Sequence, residues 1–220
     1  VADTVAIARD AAELIDIDFE GLDAISDTAG ALNESAAKVY DDAGSNLAYT
    51  QEIGDFDKTA EAFAKAQHVS EIEVINNRLI SNYMEPRSCF AKWDDEQSRF
   101  DVTLGTQGVH RMRGWLAHVM GIKPNEVRVK TPDVGGGFGT KVFNYREYAL
   151  CMFAAKQLGK PVKWTSDRTE HFMSDAHGRD NVVKAKMAMD SKGKFLAMDV
   201  DNIAAMGAYL HGFGPGIPSF

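Results

Sequence analysis

Apolar positions Val5, Ala8, Ala12 and Ile15 recur at helical spacing, which predicts a helix over residues 4–14. Residues 15–20 alternate apolar and polar and predict a short strand. Residues 26–45 are rich in Ala, Asp, Ser and Gly, carry little periodicity, and read as a connector between domains. A second helix is predicted from Asp57, with Ala60, Phe63 and Ala64 on one face, and a strand over 69–79 follows.

The centre is more regular. Residues 100–104 predict a strand. Thr106 is expected to cap the next helix, whose apolar positions are Val109, Met112, Leu116, Val119 and Met120 and which Gly121 ends. Residues 127–130 predict another strand. Tyr145, Tyr148, Ala149, Met152 and Phe153 form a helical stripe closed by Gly159 and Pro161, and residues 162–165 predict a third strand. The order β-α-β-α-β favours parallel pairing with crossover helices. After Asp180 the period becomes two: Val183, Ala185, Met187 and Met189 share a face, Asp190-Ser191-Lys192-Gly193 predicts a hairpin turn, and residues 195–200 return. The Met and aromatic residues of these faces are expected to be core.

Between the second and third of these strands lies Thr131-Pro132-Asp133-Val134-Gly135-Gly136-Gly137-Phe138-Gly139-Thr140-Lys141. Glycine accepts positive φ and lets another group approach the backbone closely. Exposed amides between a strand and a helix suit an anion or a cofactor; a tight strand-to-helix connection is the plainer alternative. Lys141 is followed by Val142 and not by a second hydroxyl residue, and no glycines fall at first, third and sixth positions, so neither an ATPase loop nor an NAD fingerprint is supported. In a parallel sheet, ligands sit beyond the carboxyl ends of the strands. Adjacent parallel strands would therefore bring Gly105-Thr106-Gln107-Gly108 and the glycine loop to one edge, with Gln107 facing the glycines.

The chain has 220 residues, 45% hydrophobic and 25% charged, as an ordinary globular protein has. A net charge of −8 with no basic run argues against a nucleic-acid partner. No stretch is long and apolar enough to span a bilayer. Cys89 and Cys151 form no CxxC and cannot supply an iron–sulfur cluster; a disulfide framework is not expected, and a cytoplasmic location is. The chain opens on Val1 without Met and closes on a Gly/Pro loop at residues 212–220, so it is expected to be an excerpt of a longer polypeptide.

Leu104-Gly105-Thr106-Gln107 together with Asp133-Val134-Gly135-Gly136-Gly137-Phe138-Gly139 resembles the molybdenum-binding large subunit of the molybdenum hydroxylases, the family of xanthine dehydrogenase, aldehyde oxidoreductase and aerobic carbon monoxide dehydrogenase. Asn82-Tyr83-Met84-Glu85-Pro86-Arg87, Pro161-Val162-Lys163-Trp164-Thr165-Ser166-Asp167-Arg168, Ser174-Asp175-Ala176-His177-Gly178-Arg179-Asp180 and Gly207-Ala208-Tyr209 resemble the same family, in its order. The glutamate that commonly follows the lysine in xanthine and aldehyde members is Val142 here, so the resemblance is to the carbon monoxide dehydrogenase-like large chains.

The resemblance implies an α+β (mixed α/β) fold: residues 1–25 from the end of an α/β hammerhead domain, a connector at 26–56, and residues 57–220 from the first part of the molybdopterin-binding domain. It implies a molybdenum–molybdopterin cofactor in the cytosine dinucleotide form, oxidation of carbon monoxide, an aldehyde or an N-heterocycle with water-derived oxygen, electron transfer to iron–sulfur and flavin partner subunits, and self-association of the large subunit. Gln107 would hydrogen-bond an oxygen ligand of the metal. The amides of Gly136, Gly137, Phe138 and Gly139 would line the pocket, with Phe138 narrowing its mouth. The substrate loop and the catalytic glutamate would lie beyond Phe220, so residues 1–220 alone are expected neither to catalyse nor to hold the cofactor.

Glu85 is expected to be structural, organising nearby backbone or Arg87. His171, Asp175 and His177 match no metal-ligand spacing and would lie on a surface or domain-contact loop; no protein metal ligand is expected. His110 and His118 would be solvated, and Arg168 and Arg179 would pair with acids or, as the second alternative, touch the cofactor's distal phosphates. The rival reading is a non-catalytic α/β module that binds a phosphate-bearing ligand or a partner subunit.

Overall fold

The computed structural model describes residues 1–209 together with Gly214 and Gly216, so the expected terminal loop at 212–220 lies outside the described residues apart from those two glycines. In chain order the helices are α1 (Val5–Glu13), α2 (Phe56–Lys65), α3 (Val109–Met120), α4 (Arg146–Leu158) and α5 (Arg168–Ser174). The strands are β1 (His68–Asn76), β2 (Leu79–Ile80), β3 (Ser88–Asp94), β4 (Arg99–Leu104), β5 (Val127–Lys130), β6 (Val162–Thr165), β7 (His177–Gly178), β8 (Asn181–Met189) and β9 (Phe195–Ala204). Two compact units emerge: residues 1–18 with 80–178, and residues 19–79 with 179–220.

The first unit holds a four-stranded sheet in the order β5-β4-β3-β6. β4 and β5 pair in parallel, Val102 opposite Val129, as the β-α-β pattern predicts. The third strand does not continue that pairing. A strand that the hydrophobic pattern had not revealed, β3, lies in the middle and runs antiparallel to both β4 and β6. β6 thus keeps the direction of β4 and β5 but sits at the opposite edge, and the connection through α4 crosses the sheet. The pattern concealed β3 because only Cys89 and Ala91 on it are fully buried, while Lys92 and Asp94 interrupt the apolar run.

One core fills the space between this sheet and the helices α3 and α4. Phe100, Val102 and Leu104 of β4 meet Met112 and Leu116 of α3 and Tyr148, Met152 and Ala155 of α4, all almost wholly removed from water. Full burial of such a side chain contributes roughly 1.5–3 kcal/mol. Cys89 and Cys151, distant in sequence, are both free thiols within this cluster. α3 and α4 end at Gly121 and Gly159, whose φ values of 66° and 60° are the left-handed caps that glycine accepts without strain. Thr106 is not the cap of α3: Gly108 holds that position, and the Thr106 hydroxyl turns to a neighbouring loop.

Thr4 caps α1 through its hydroxyl. Residues 15–20 form no strand. They are exposed and pair with no strand among the described residues, and alternation without a partner leaves backbone groups to water.

The second unit holds the antiparallel sheet β1-β8-β9 and the helix α2, which Asp55 caps by accepting from Lys58 N. The predicted hairpin is present: Asp190 Oδ1 accepts from Lys192 N and Lys194 N. Val183, Ala185 and Met187 share a face as expected, but Ala188 on the other face is the buried residue, and a register shift follows it. Met198 and Phe195 are largely exposed and are not core.

Candidate functional site

The carboxyl ends of β4 and β5 open on one edge, so residues 105–108 and 131–140 meet. Because β3 runs the opposite way, the segment that leads into it, Tyr83 to Arg87, arrives at this same edge. Ser166 N, just after β6, donates to Arg87 O at 2.9 Å. Four chain segments from the first unit thus converge where the sequence suggests two.

Gln107 faces the glycine loop. Its Oε1 accepts from Gly139 N at 3.0 Å, and its own N–H donates to Lys141 O at 3.2 Å. A Cβ on Gly137 would lie 2.6 Å from Gln107 Oε1, so the close approach requires glycine there. This is a matter of space and not of a left-handed backbone. The positive φ values belong to Gly136 (90°), Phe138 (47°) and Gly139 (94°). Left-handed geometry at a bulky residue such as Phe138 is uncommon. Phe138 is also 76% exposed, its ring lying against Gly136. Among the described residues, the amides of Gly136, Gly137 and Phe138 and the amide nitrogen of Gln107 have no protein acceptor. A succession of positive and ordinary φ with free amides forms the kind of concavity that holds anionic oxygens.

Beneath the loop lies an ion pair. Lys141, buried to 1% exposure, sets its Nζ 2.7 Å from Glu85 Oε2 and 4.5 Å from the centre of the Tyr83 ring. Glu85 Oε2 also accepts from Gly135 N at 2.8 Å, and Glu85 N donates to Gly135 O at 3.1 Å. Partial burial opposes ionisation of Glu85, but the bonds from Lys141 and Gly135 outweigh it and hold its carboxyl below the usual glutamate value. Glu85 is therefore a backbone organiser, with Lys141 and not Arg87 as its charged partner.

Arg87 belongs to a second, deeper cluster. Fully buried, it donates to Asp175 Oδ1 at 2.5 Å, Glu147 Oε2 at 3.1 Å and Ser174 Oγ at 2.9 Å, and its guanidinium stacks 3.7 Å from the Tyr145 ring centre. Burial works against the charge on Arg87, but the Asp175 carboxylate more than restores it. Tyr83 OH donates to the other oxygen of Asp175, and burial followed by that carboxylate drives the phenol far above its usual range. His171 Nδ1 lies 2.9 Å from Asp175 Oδ2, yet the approach is too oblique for a hydrogen bond and both ring nitrogens lack one. Burial lowers the His171 pKa, with Asp175 pulling the other way.

His171 and Asp175 are thus interior groups, correcting the expected surface loop, while His177 is exposed. Among the described residues no group of three or more His, Cys, Asp or Glu could hold a metal ion. Among the described residues Arg168 pairs with no acid. It donates to Tyr83 O, Met84 O and Asn82 Oδ1, tying down the Glu85 segment. His110 and His118 are exposed, as expected. Lys141, Tyr83 and Asp175 are the site-supporting residues that spacing did not reveal. The one signal for Lys141 was a basic residue in the turn right after the glycines, before Val142 and Phe143.

Segments of longer proteins are similar to this chain. The chain is 33% identical over 204 residues to the 6-hydroxypseudooxynicotine dehydrogenase complex subunit gamma of Paenarthrobacter nicotinovorans, covering 93% of this chain and 25% of the relative. It is 30% identical over 215 residues to the carbon monoxide dehydrogenase large chain of Afipia carboxidovorans, covering 92% and 27%. The solved reconstituted CO dehydrogenase from Oligotropha carboxidovorans superimposes with a TM-score of 0.83 at 30% identity, covering 90% of this chain and 26% of that one. The chain therefore spans about a quarter of the length of the relatives it matches. The molybdopterin cofactor-binding domain profile matches residues 39–220, which include Gln107, the glycine loop and the Glu85–Lys141 pair, and the chain belongs to that family.

Proposed function

We propose that this chain forms the part of a molybdenum hydroxylase large subunit that holds one side of a molybdenum–molybdopterin cofactor, in its cytosine dinucleotide form. The protein oxidises a small substrate of the carbon monoxide, aldehyde or N-heterocycle type with water-derived oxygen, and passes electrons to iron–sulfur and flavin partner subunits. Residues 57–220 supply the molybdopterin-binding portion, 26–56 a connector, and 1–25 the end of a hammerhead-like domain. The large subunit self-associates and works in the cytoplasm; residues 1–220 alone neither retain the cofactor nor turn over.

The observation that carries the reading is the seating of Gln107 on the glycine loop. Gly139 N engages the Gln107 carbonyl oxygen, which leaves the Gln107 amide nitrogen as a donor beside the unengaged amides of Gly136, Gly137 and Phe138. A set made wholly of N–H donors fits an oxygen-rich, anionic cofactor and does not fit a cation. When bound, the cofactor supplies the two-electron acceptor. The chain's own residues bind and orient it: Gln107 and the loop amides donate, Gly137 leaves the room for their close approach, and Phe138 screens the mouth from water.

Gly137→Val in the full-length subunit tests this. A valine there drives into Gln107 Oε1 and pushes the side chain off the loop. Molybdenum content by elemental analysis is expected to fall at least tenfold, with far-ultraviolet circular dichroism unchanged. A purified variant with wild-type molybdenum would sink the assignment. Full molybdenum in the parent protein without oxidation of any of the three substrate types would instead favour the non-catalytic module.

A further inference from the structure

We propose that Lys141 is a positioning residue of this site, resting on the reading of Gln107 and the glycine loop as the cofactor seat. Lys141 acts at both ends of its own residue. Its carbonyl oxygen accepts from Gln107 N at 3.2 Å and Thr106 Oγ1 at 3.0 Å, so it fixes the loop that follows β4. Its ammonium reaches Glu85 Oε2 at 2.7 Å, and the same oxygen accepts from Gly135 N, so it fixes the start of the glycine loop. Gln107 also bridges the two loops, through Gly139 N, and Lys141 adds to that bridge the tie to Glu85 and Gly135.

A buried ammonium is costly to desolvate, and an apolar side chain of similar length would pack there more cheaply. A charge kept in such a place is explained by what it orients. The surroundings are shaped for it. Gly105 borders the pair: a Cβ there would stand in ordinary contact, 3.4 Å from Glu85 Oε2 and 3.6 Å from Lys141 Nζ. The Tyr83 ring faces the ammonium. The turn that delivers Lys141 is pinned as well: Thr140 N and Oγ1 both donate to Gly137 O, at 2.9 and 2.7 Å, and Tyr145 OH donates to Thr140 O at 3.0 Å. Distances from Gly135 to Gly139 and from Gly139 to Gln107 are therefore set by one closed circuit, Glu85–Lys141–Gln107–Gly139. Breaking the ammonium link unties Glu85 and its partner Gly135 from Lys141, lets the loop drift from Gln107, and turns the Gln107 amide away from the seat. Lys141 touches no ligand; it acts through Gln107.

The prediction is non-additivity with Gln107. Lys141→Met, Gln107→Ala and the double variant are made in the full-length subunit assembled with its partners. Two quantities are read: the half-time of molybdenum loss on dialysis, and the Mo(V) electron paramagnetic resonance g values after dithionite reduction. Each single variant is expected to shorten the half-time at least fivefold and to move the g values in the same direction. The double variant should lie within twofold of Gln107→Ala in half-time and share its g values. Wild-type g values in Lys141→Met, or losses that multiply in the double variant, overturn the proposal. If Lys141→Met does not accumulate, Glu85→Gln replaces it in the same cycle, since Glu85 is partly exposed and the amide keeps its shape. A parent protein without molybdenum would refute the cofactor reading itself, whereas a loaded parent with additive losses refutes only the role of Lys141.

Discussion

The two compact units use charge in opposite ways. In the first, Arg87, Lys141 and Asp175 lie in the interior and each charged group meets several partners at close range. In the second, charges form cross-strand rungs on an exposed face of the β1-β8-β9 sheet, Lys186 to Glu71 at 3.7 Å and Lys184 to Glu73 at 3.6 Å. The sequence distance between partners is long in both cases, so spacing does not separate them. What separates them is water. A surface pair trades one high-dielectric environment for another and contributes about 0–1 kcal/mol. A buried pair adds little net stability over apolar packing, but losing one member strands the other at a cost of about 3–5 kcal/mol. The first unit therefore uses its charges to fix geometry, and the second to decorate a face.

The most severe way to break this contrast is Asp175→Ala. It removes the partner of Arg87 Nε and of Tyr83 OH at once. Chemical denaturation of the full-length subunit is expected to show a loss of about 3–5 kcal/mol. A loss below about 1 kcal/mol would mean that Glu147 and Ser174 suffice for Arg87 and that the cluster is not a structural node.

A smaller effect follows from His171. Burial holds its pKa below the ordinary 6.5, so it stays neutral in the folded protein while the unfolded chain takes up a proton near 6.5. The unfolded state then binds more protons, and stability falls as pH drops below 6.5 toward the folded pKa. His171→Gln is expected to flatten the pH dependence of the unfolding free energy as pH falls below 6.5. An unchanged slope would locate the titration elsewhere. Glu85, with its depressed pKa, acts in a separate window: its contribution is present above the ordinary 4.5 and is lost as pH falls through its lowered value.

The smallest effect is expected on the exposed sheet. Lys186→Ala should change stability by no more than about 1 kcal/mol, and less at high salt. A larger loss that salt does not screen would show that this face is shielded from water in the assembled protein.

Much of the fold was legible in the chain before any coordinates. Periodicity located α2, α3, α4, β4, β5, β6 and the β8-β9 hairpin, because each carries apolar positions at a regular period, although α2 and β9 keep theirs largely in water. The glycine loop and Gln107 were legible as well, because two strand-to-helix loops at the ends of parallel strands can only open together. The family followed from the same residues, and the match over residues 39–220 bears that reading out. The segment at 15–20 misled because alternation predicts a strand only where a partner supplies the hydrogen bonds.

What the sequence determined by itself was the set of amphipathic elements, the flexible glycines and the donors they expose, since these rest on local sterics and on periods of two and 3.6. Only the tertiary structure decided that β3 inserts antiparallel between β4 and β6, bringing Glu85 to the edge where Lys141 and Gly135 wait. Strand order depends on which apolar faces fit together across the whole sheet, and no local rule fixes it. The same holds for burial: Lys141, Arg87 and His171 read as surface residues from their chemistry, and they became interior ones because groups distant in sequence, Glu85 for Lys141, Asp175 for Arg87 and Tyr83 for His171, closed around them.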